Sequence, residues 1–193
     1  MYHIAIFASG KGSNADSICS YFQQHPSIMV SAIYSNKQEA GVHQVAKKYG
    51  VPSFYISPEI LKNPLQLLEF ISDHRVDFII LAGYLKQISP ELIAAYPDKI
   101  INIHPALLPK FGGKGMYGSN VHQAVAEAGE TESGISIHLV NEKYDEGKII
   151  FQAKTPVEKG DSPQRIAEKV LELEHRHFAP VIEKYILEFA GNR

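Results

Sequence analysis

The chain of 193 residues is 45% hydrophobic and 21% charged, with a formal net charge of −2 at pH 7. This composition is typical of a globular protein with its own core, and it excludes a disordered chain or binding to nucleic acid through excess positive charge. Cys19 is the only cysteine, and we see neither a signal-peptide pattern nor an apolar run of the ~18 residues that a membrane span needs, so we expect a cytoplasmic protein without a nucleic-acid or membrane partner.

In chain order, short apolar runs alternate with helical patterns. The predicted strands are 3–9, 29–35, 52–56, 76–83, 99–103, 134–140 and 148–157, and the predicted helices are 14–24, 41–50, 64–75, 89–96 and 162–189. Runs of Ile and Val that alternate with helices indicate a parallel sheet, whereas the last two strands indicate a hairpin that makes the sheet mixed. We predict one α/β domain over residues 1–193, with helices on both faces and a last helix that Pro180 kinks or splits.

The turn "SGKGSN" at 9–14 combines two glycines with Lys, Ser and Asn after the first predicted strand. Gly10 and Gly12 permit a positive φ and close approach of the backbone, and the start of the next helix favours an anion. The alternative is a plain tight turn with a helix cap. "GKGSNA" formally fits the dinucleotide pattern G-x-G-x-x-A, but no acidic residue ends the second strand, so we favour a monophosphate.

Asn102 and His104 end the predicted strand 99–103, and their spacing places both side chains on one face. The alternative is a structural polar pair. An amide and a protonated imidazole can both donate hydrogen bonds to a developing oxyanion, and His104 can also move a proton. Pro105 favours an extended conformation of His104, which helps to hold it rigid.

Asp145 lies in the predicted hairpin connection "NEKYDEGK". The alternative is that it is only a turn residue before Gly147. If the hairpin tip reaches His104, the carboxylate raises the pKa of the imidazole and fixes its tautomer.

Other kinds of site lack their sequence patterns. H-E-x-x-H and C-x-x-C are absent, and His122, His138, His175 and His177 do not have the spacing of zinc ligands, so we expect no metal. The hydrolase pattern G-x-S-x-G is also absent. Cys19 falls within a predicted helix, where we expect it to be packed rather than reactive.

Taken together, "SGKGSN", "LAGYLKQISPELI", "NIHPALLPKF" and "YDEG" resemble the folate-dependent formyltransferases over about residues 3–185. The resemblance implies a Rossmann-like formyltransferase fold whose N-terminal half binds phosphate and whose C-terminal half binds folate and carries catalysis. It implies transfer of a formyl group from 10-formyltetrahydrofolate to the amine of glycinamide ribonucleotide in purine biosynthesis. A monomer or homodimer acting on these two small molecules without a metal is expected.

The resemblance also implies the site residues. The phosphate of the substrate would be bound by Gly12, Ser13 and Asn14, and its ribose would be contacted by Glu174. The pterin of the folate would lie against Leu85, Lys86, Gln87 and Ile88 and would be covered by Asn141, Glu142, Lys143 and Tyr144. Asn102 and His104 would stabilise the tetrahedral intermediate, and Asp145 would raise the pKa of His104. The Gly-rich loop 112–118 is predicted to be a mobile lid.

Three alternatives remain open at this point. Methionyl-tRNA formyltransferase would carry an Arg-Gly-rich sequence after "LLP" and a C-terminal tRNA-binding domain, and a formyltetrahydrofolate hydrolase would carry an N-terminal regulatory domain; we expect neither here. A noncatalytic nucleotide-binding module would use the glycine turn but would give Asn102, His104 and Asp145 no role.

Overall fold

In the computed structural model, which describes residues 1–191, seven strands form one sheet. The strands are β1 (Tyr2–Phe7), β2 (Ile28–Ser35), β3 (Ser53–Tyr55), β4 (Phe78–Leu81), β5 (Ile100–His104), β6 (Glu132–Leu139) and β7 (Ile149–Pro156). The helices are α1 (Ser13–Phe22), α2 (Val42–Tyr49), α3 (Pro58–Leu61), α4 (Pro64–Ser72), α5 (Pro90–Ala95), α6 (Ser119–Glu127) and α7 (Pro163–Gly191).

The strand order is β3-β2-β1-β4-β5-β6-β7. The first five strands pair in parallel, and β6 pairs antiparallel with both β5 and β7. The predicted sheet, mostly parallel and mixed at the C-terminal hairpin, is confirmed. Uninterrupted apolar runs such as the FIIL of β4 form these strands because both faces of a parallel sheet are covered.

Helices cover both faces of the sheet, as predicted. One core cluster packs α1, α2, α6 and α7 against the sheet, and the other packs α4 and α5 against the opposite face. Cys19 belongs to the first cluster, and burial raises the pKa of its thiol to about 12, so it is packed as expected. None of the helices within residues 1–191 is long and apolar enough to cross a membrane.

The predicted interruption at Pro180 is wrong in one respect, because α7 is not split there. Pro180 lies on the exposed side of the helix, whereas Phe178, Ile182 and Ile186 are buried in the core. Packing of this apolar stripe therefore holds the helix across a residue that lacks a backbone N–H.

Two short helices, α3 and α6, were not predicted from the sequence. Helix α3 has only four residues and is capped by the Ser57 hydroxyl, which accepts from the Ile60 amide. Helix α6 follows the Gly-rich loop directly, and its buried face is limited to Val121, His122 and Val125. Such short faces give too little periodicity to stand out beside a run of glycines.

The register of β5 and β6 brings four polar side chains to one face of the sheet. Asn102 is paired with His138, and His104 is paired with Ser136. The alternating residues Ile101, Ile103, Ile135 and Ile137 belong to the core cluster on the other face. We call Asn102, His104, Ser136 and His138 the β5–β6 polar face.

Pairing between β6 and β7 shifts by one residue within this region. Ile137 is paired with Phe151, but the next residue, His138, is paired with Ile149. The irregularity lies beside the β5–β6 polar face, as β-bulges often do at functional sites.

Candidate active site

The turn before α1 is shaped by Gly12. Gly12 has φ 85°, and a Cβ atom there would lie 2.9 Å from the Cα of Val42, so glycine is required both by its conformation and by space. The first backbone hydrogen bond of the helix runs from the Asp16 amide to the Gly12 carbonyl, and no side chain caps the helix. The uncapped first turn leaves amide groups that can bind an anion.

A cavity of about 690 Å³ opens over the β5–β6 polar face. It is bounded by the segment after β4, the Gly-rich loop, the β6–β7 connection and one side of α7. The lining includes Asn14, residues 83–88, 102–105, 113–118 and 141–145, and Glu174. The segments that were predicted from separate stretches of sequence therefore meet around one space.

Not every predicted residue reaches this cavity. Leu85, Lys86, Gln87 and Ile88 line one wall, and 141–145 line another. Gly12 and Ser13 are absent from the lining, while the neighbouring Asn14 takes part in it. The cavity thus reaches the start of α1 through Asn14, and the glycine turn lies just beyond.

Asn14 and Glu174 are joined although they are 160 residues apart. The Asn14 Nδ2 atom donates to Glu174 Oε2 at 2.6 Å. Burial raises the pKa of Glu174, and the hydrogen bond from Asn14 opposes this rise. Asn14 is 9% exposed, and its Oδ1 atom has no hydrogen-bond partner among the described residues, so the amide retains an acceptor for a ligand.

His104 is held between the Phe111 carbonyl and Asp145. Its Nε2 atom lies 2.7 Å from the Phe111 carbonyl, so Nε2 carries a proton and donates. Its Nδ1 atom lies 3.6 Å from Asp145 Oδ2. Phe111 and Asp145 both have φ 56°, which is uncommon outside glycine, and such backbone often marks functional sites.

Asp145 raises the pKa of His104 as expected, but this contribution does not set the net shift. Burial lowers the pKa of His104 below its ordinary value, because the side chain is only 4% exposed. Asp145 and the Phe111 carbonyl act in the predicted direction but are outweighed, and His138 lowers the pKa further. The physical reason is burial of the imidazole, and the extent of this burial cannot be read from the residue spacing.

Asp145 contacts the Gly-rich loop as well as the imidazoles. The Gly113 amide donates to Asp145 Oδ2 at 2.9 Å, and a Cβ on Gly112 would lie 3.2 Å from the Asp145 Cβ. Burial alone would raise the pKa of Asp145, but the neighbouring His138 and His104 and the Gly113 amide together lower it. The group is therefore an anion at neutral pH.

Two histidines of the site were missed in the sequence-based prediction. His138 is 2% exposed and contacts both Asn102 and Asp145. His122 is 7% exposed, lines the cavity, and its Nδ1 atom has no hydrogen-bond partner among residues 1–191. The alternation of "GISIHLV" could have placed His138 on the same face as Ser136, whereas no comparable signal marks His122.

A buried network fixes the segment after His104. The Ser136 hydroxyl donates to the Ala106 carbonyl at 2.7 Å and accepts from the Leu108 amide at 2.9 Å. Gln152 donates to the Leu108 carbonyl at 3.0 Å. These bonds hold residues 106–108, which follow His104, against β6 and β7.

Within residues 1–191, no three or more His, Cys, Asp or Glu side chains are grouped so that they could hold a metal ion.

Comparison with known proteins places these features in context. A sequence profile described as "Formyl transferase" matches residues 2–182. The chain is 41% identical over 187 residues to "Phosphoribosylglycinamide formyltransferase, chloroplastic" of Arabidopsis thaliana, covering 93% of this chain but only 63% of that protein. It is 33% identical to "Phosphoribosylglycinamide formyltransferase" of Bacillus subtilis, covering 96% of this chain and 95% of that protein.

A solved structure agrees with the sequence comparison. The phosphoribosylglycinamide formyltransferase of Brucella melitensis superposes with a TM-score of 0.86 at 33% identity, over 95% of each chain.

Proposed function

Because the chain belongs to the formyl transferase family, we propose that it transfers the formyl group of 10-formyltetrahydrofolate to the amine of N1-(5-phosphoribosyl)glycinamide. The products are the N-formyl compound and tetrahydrofolate, in de novo purine biosynthesis. The observation that carries the proposal is the convergence of Asn102, His104 and Asp145 with Asn14 and Glu174 on one cavity.

The phosphoribosyl substrate is assigned to the side of the cavity that reaches α1. Its phosphate binds at the helix start formed by Gly12, Ser13 and Asn14, where an uncapped first turn supports anion binding. Glu174 accepts hydrogen bonds from the ribose hydroxyls. This side is the phosphate-binding N-terminal half of the domain, completed by one residue from α7.

The folate is assigned to the opposite side. The pterin lies between the walls formed by residues 85–88 and 141–144, where backbone groups and partly exposed side chains surround a deep space. The position of Asn102 between the two sides lets its amide meet the formyl group. In this proposal the C-terminal half of the domain supplies catalysis and one wall of the folate site, and residues 85–88 of the N-terminal half supply the other wall.

The reaction joins the two sides. The substrate amine attacks the formyl carbon, a new nitrogen–carbon bond forms, and negative charge develops on the formyl oxygen. Asn102 donates an N–H to this oxygen, and protonated His104 donates through Nδ1. Collapse of the intermediate breaks the bond to folate N10. The amine loses one proton and N10 gains one, with a water beside Asp145 as the relay.

Because the pKa of His104 is lowered, the scheme depends on when His104 carries a second proton. Burial lowers the pKa of His104 and so keeps the imidazole largely neutral at pH 7, with its proton on Nε2. A developing oxyanion beside Nδ1 favours the protonated form, and Asp145 favours it too. In this scheme His104 takes up on Nδ1 the proton that the amine loses, donates it to the oxyanion while the negative charge is present, and returns it through the water beside Asp145 to N10 as the intermediate collapses.

The proposal includes the setting of the reaction. It takes place in the cytoplasm, in a monomer or homodimer, with no metal, no nucleic acid and no membrane partner. The near-neutral charge and the single cysteine support this setting. Cell fractionation and sedimentation of the purified protein test the compartment and the oligomeric state.

The deciding experiment supplies 10-formyltetrahydrofolate with one of three acceptors. These are the phosphoribosylglycinamide, initiator methionyl-tRNA and water alone. We expect tetrahydrofolate to form only with the first acceptor, together with one equivalent of N-formyl product. Release with water alone would indicate a hydrolase, transfer to the tRNA would indicate the other transferase, and binding without turnover would indicate a noncatalytic module.

A further inference from the structure

His138 lies directly opposite Asn102 across the β5–β6 strand pair. Its side chain is buried, and its Nε2 atom is 3.0 Å from Asn102 Nδ2. No step of the reaction as described above uses this histidine. A buried polar side chain in contact with a proposed oxyanion donor calls for an explanation of its hydrogen bonds.

The other ring nitrogen determines which tautomer this histidine has. The His138 Nδ1 atom lies 3.0 Å from the Leu139 carbonyl, which can only accept a hydrogen bond. Nδ1 therefore carries the proton. In the neutral ring, Nε2 is then an acceptor, and the Asn102 Nδ2 group donates to it.

Glycine at position 147 leaves room for this arrangement. A Cβ atom on Gly147 would lie 1.7 Å from the Leu139 carbonyl oxygen and 3.4 Å from His138 Nδ1. Any side chain there would displace the carbonyl that accepts the proton of His138. Glycine at position 147 therefore allows the Leu139 carbonyl to stay where it accepts the proton of His138 Nδ1.

Among residues 1–191, the other polar group of the site close to Nε2 is Asp145, and it does not take the place of Asn102. Its Oδ1 atom lies 3.6 Å from His138 Nε2, which is beyond hydrogen-bond distance. A proton on Nε2 would turn this contact into a charge pair and would leave the Asn102 Nδ2 group without an acceptor. The observed pairing with Asn102 corresponds to the ring without that proton.

We propose that His138 is a positioning residue that fixes the orientation of the Asn102 amide. One N–H of Asn102 is held by His138 Nε2, so the Nδ2 group cannot exchange places with Oδ1. The second N–H of Asn102 is then directed to the formyl oxygen. In the flipped amide, Asn102 Oδ1 would point there instead and would repel the negative charge. The identity of the formyl oxygen rests on the proposed function, whereas the hydrogen bond itself does not.

The first test reads the tautomer without any substrate. In the unaltered full chain labelled with ¹⁵N, we expect the His138 Nδ1 resonance to be of the protonated type and the Nε2 resonance to be of the bare type near neutral pH. A proton on Nε2 with bare Nδ1 would overturn the inference. This result does not depend on turnover, so it separates a failure of the inference from a failure of the proposed function.

The second test is a double-mutant cycle between the two residues. We expect His138→Leu to lower kcat roughly 3- to 10-fold, the worth of one neutral hydrogen bond, with KM for both substrates unchanged. In an Asn102→Ala background the same change should cost nothing more, because there is no amide left to orient. An equal loss in both backgrounds would show that His138 does not act through Asn102.

Two further variants serve as a rescue and a control. His138→Gln offers an oxygen near the place of Nε2 and should retain more activity than His138→Leu. His43 is also hydrogen-bonded, to Ser53 and to the Lys37 carbonyl, but it lies outside the cavity lining. His43→Leu should leave kcat unchanged. A glutamine variant no better than the leucine variant would contradict a hydrogen-bonding role.

Discussion

The turn before α1 and the β5–β6 polar face are built by different means. The turn is a run of consecutive residues, is partly exposed, and offers backbone amides. The polar face combines side chains from two strands, is mostly buried, and has each imidazole held by a named partner. The difference suggests a division of work, in which the turn binds a ground-state charge and the polar face meets a charge that exists only during reaction.

The largest expected effect tests the polar face. Asn102→Ala should lower kcat about 10²- to 10³-fold, because it removes a donor aimed at the oxyanion, while KM for both substrates stays nearly constant. Steady-state kinetics measure this split. Asn63, whose side chain caps α4, provides the control, since Asn63→Ala should cost stability without changing kcat. A rise in KM that accounts for the whole loss would mean that Asn102 binds the ground state.

The next effect concerns the charge beside His104. Asp145→Asn should lower turnover at pH 7 roughly 10- to 100-fold, because an attractive charge near the imidazole is lost. The pKa of His104 should move still further below its ordinary value, since burial lowers it and Asp145 opposes that shift. NMR titration of His104 in both proteins is the measurement. An unchanged His104 pKa would show that the 3.6 Å contact with Asp145 carries no electrostatic coupling.

A smaller effect tests the turn. Ser13→Asp places a carboxylate at the start of α1, so KM for the phosphoribosyl substrate should rise roughly 10-fold through repulsion. The thermal unfolding temperature should stay level or rise, because an acidic residue favours a helix start. Ser20→Asp, in the last turn of the same helix, should leave this KM unchanged. An equal change in this KM for both variants would show that the turn is not the phosphate site.

The smallest expected effect is the dependence of the free energy of unfolding on pH. Burial lowers the pKa of His104 and of His122, and His104 lowers that of His122 further. The unfolded chain therefore takes up protons near pH ~6.5 before the folded protein does. The free energy of unfolding should fall as pH drops below about 6.5 and recover above it. Urea unfolding at several pH values measures the slope, and His122→Gln should make it shallower; an equal slope in both proteins would exclude His122 as a contributor.

The sequence predicted those parts of the molecule that depend on neighbouring residues. The strands, the glycine turn and the shared face of Asn102 and His104 follow from local pattern and spacing. Asp145 lies 41 residues beyond His104, so only the resemblance to a family placed it in the site. The contact between them depends on a connection that folds back over the sheet, and no local pattern encodes that path.

The properties that the sequence did not predict depend on how tertiary packing buries particular residues. Asp145 raises the pKa of His104 as expected, but burial of the ring outweighs this effect and lowers the pKa below its ordinary value. Helix α7 continues through Pro180 because its buried stripe outweighs one missing hydrogen bond. Neither burial nor packing strength can be derived from a residue and its near neighbours.

The one-residue shift between β6 and β7 has a consequence for insertions and deletions in the gene. Strand side chains alternate between faces, so a codon lost within β6 ahead of the shift would exchange the two faces. Ile137 and Leu139 would then face the cavity, while Ser136 and His138 would enter the apolar core. We therefore expect the loss of one residue in this part of β6 to be more damaging than most single substitutions there.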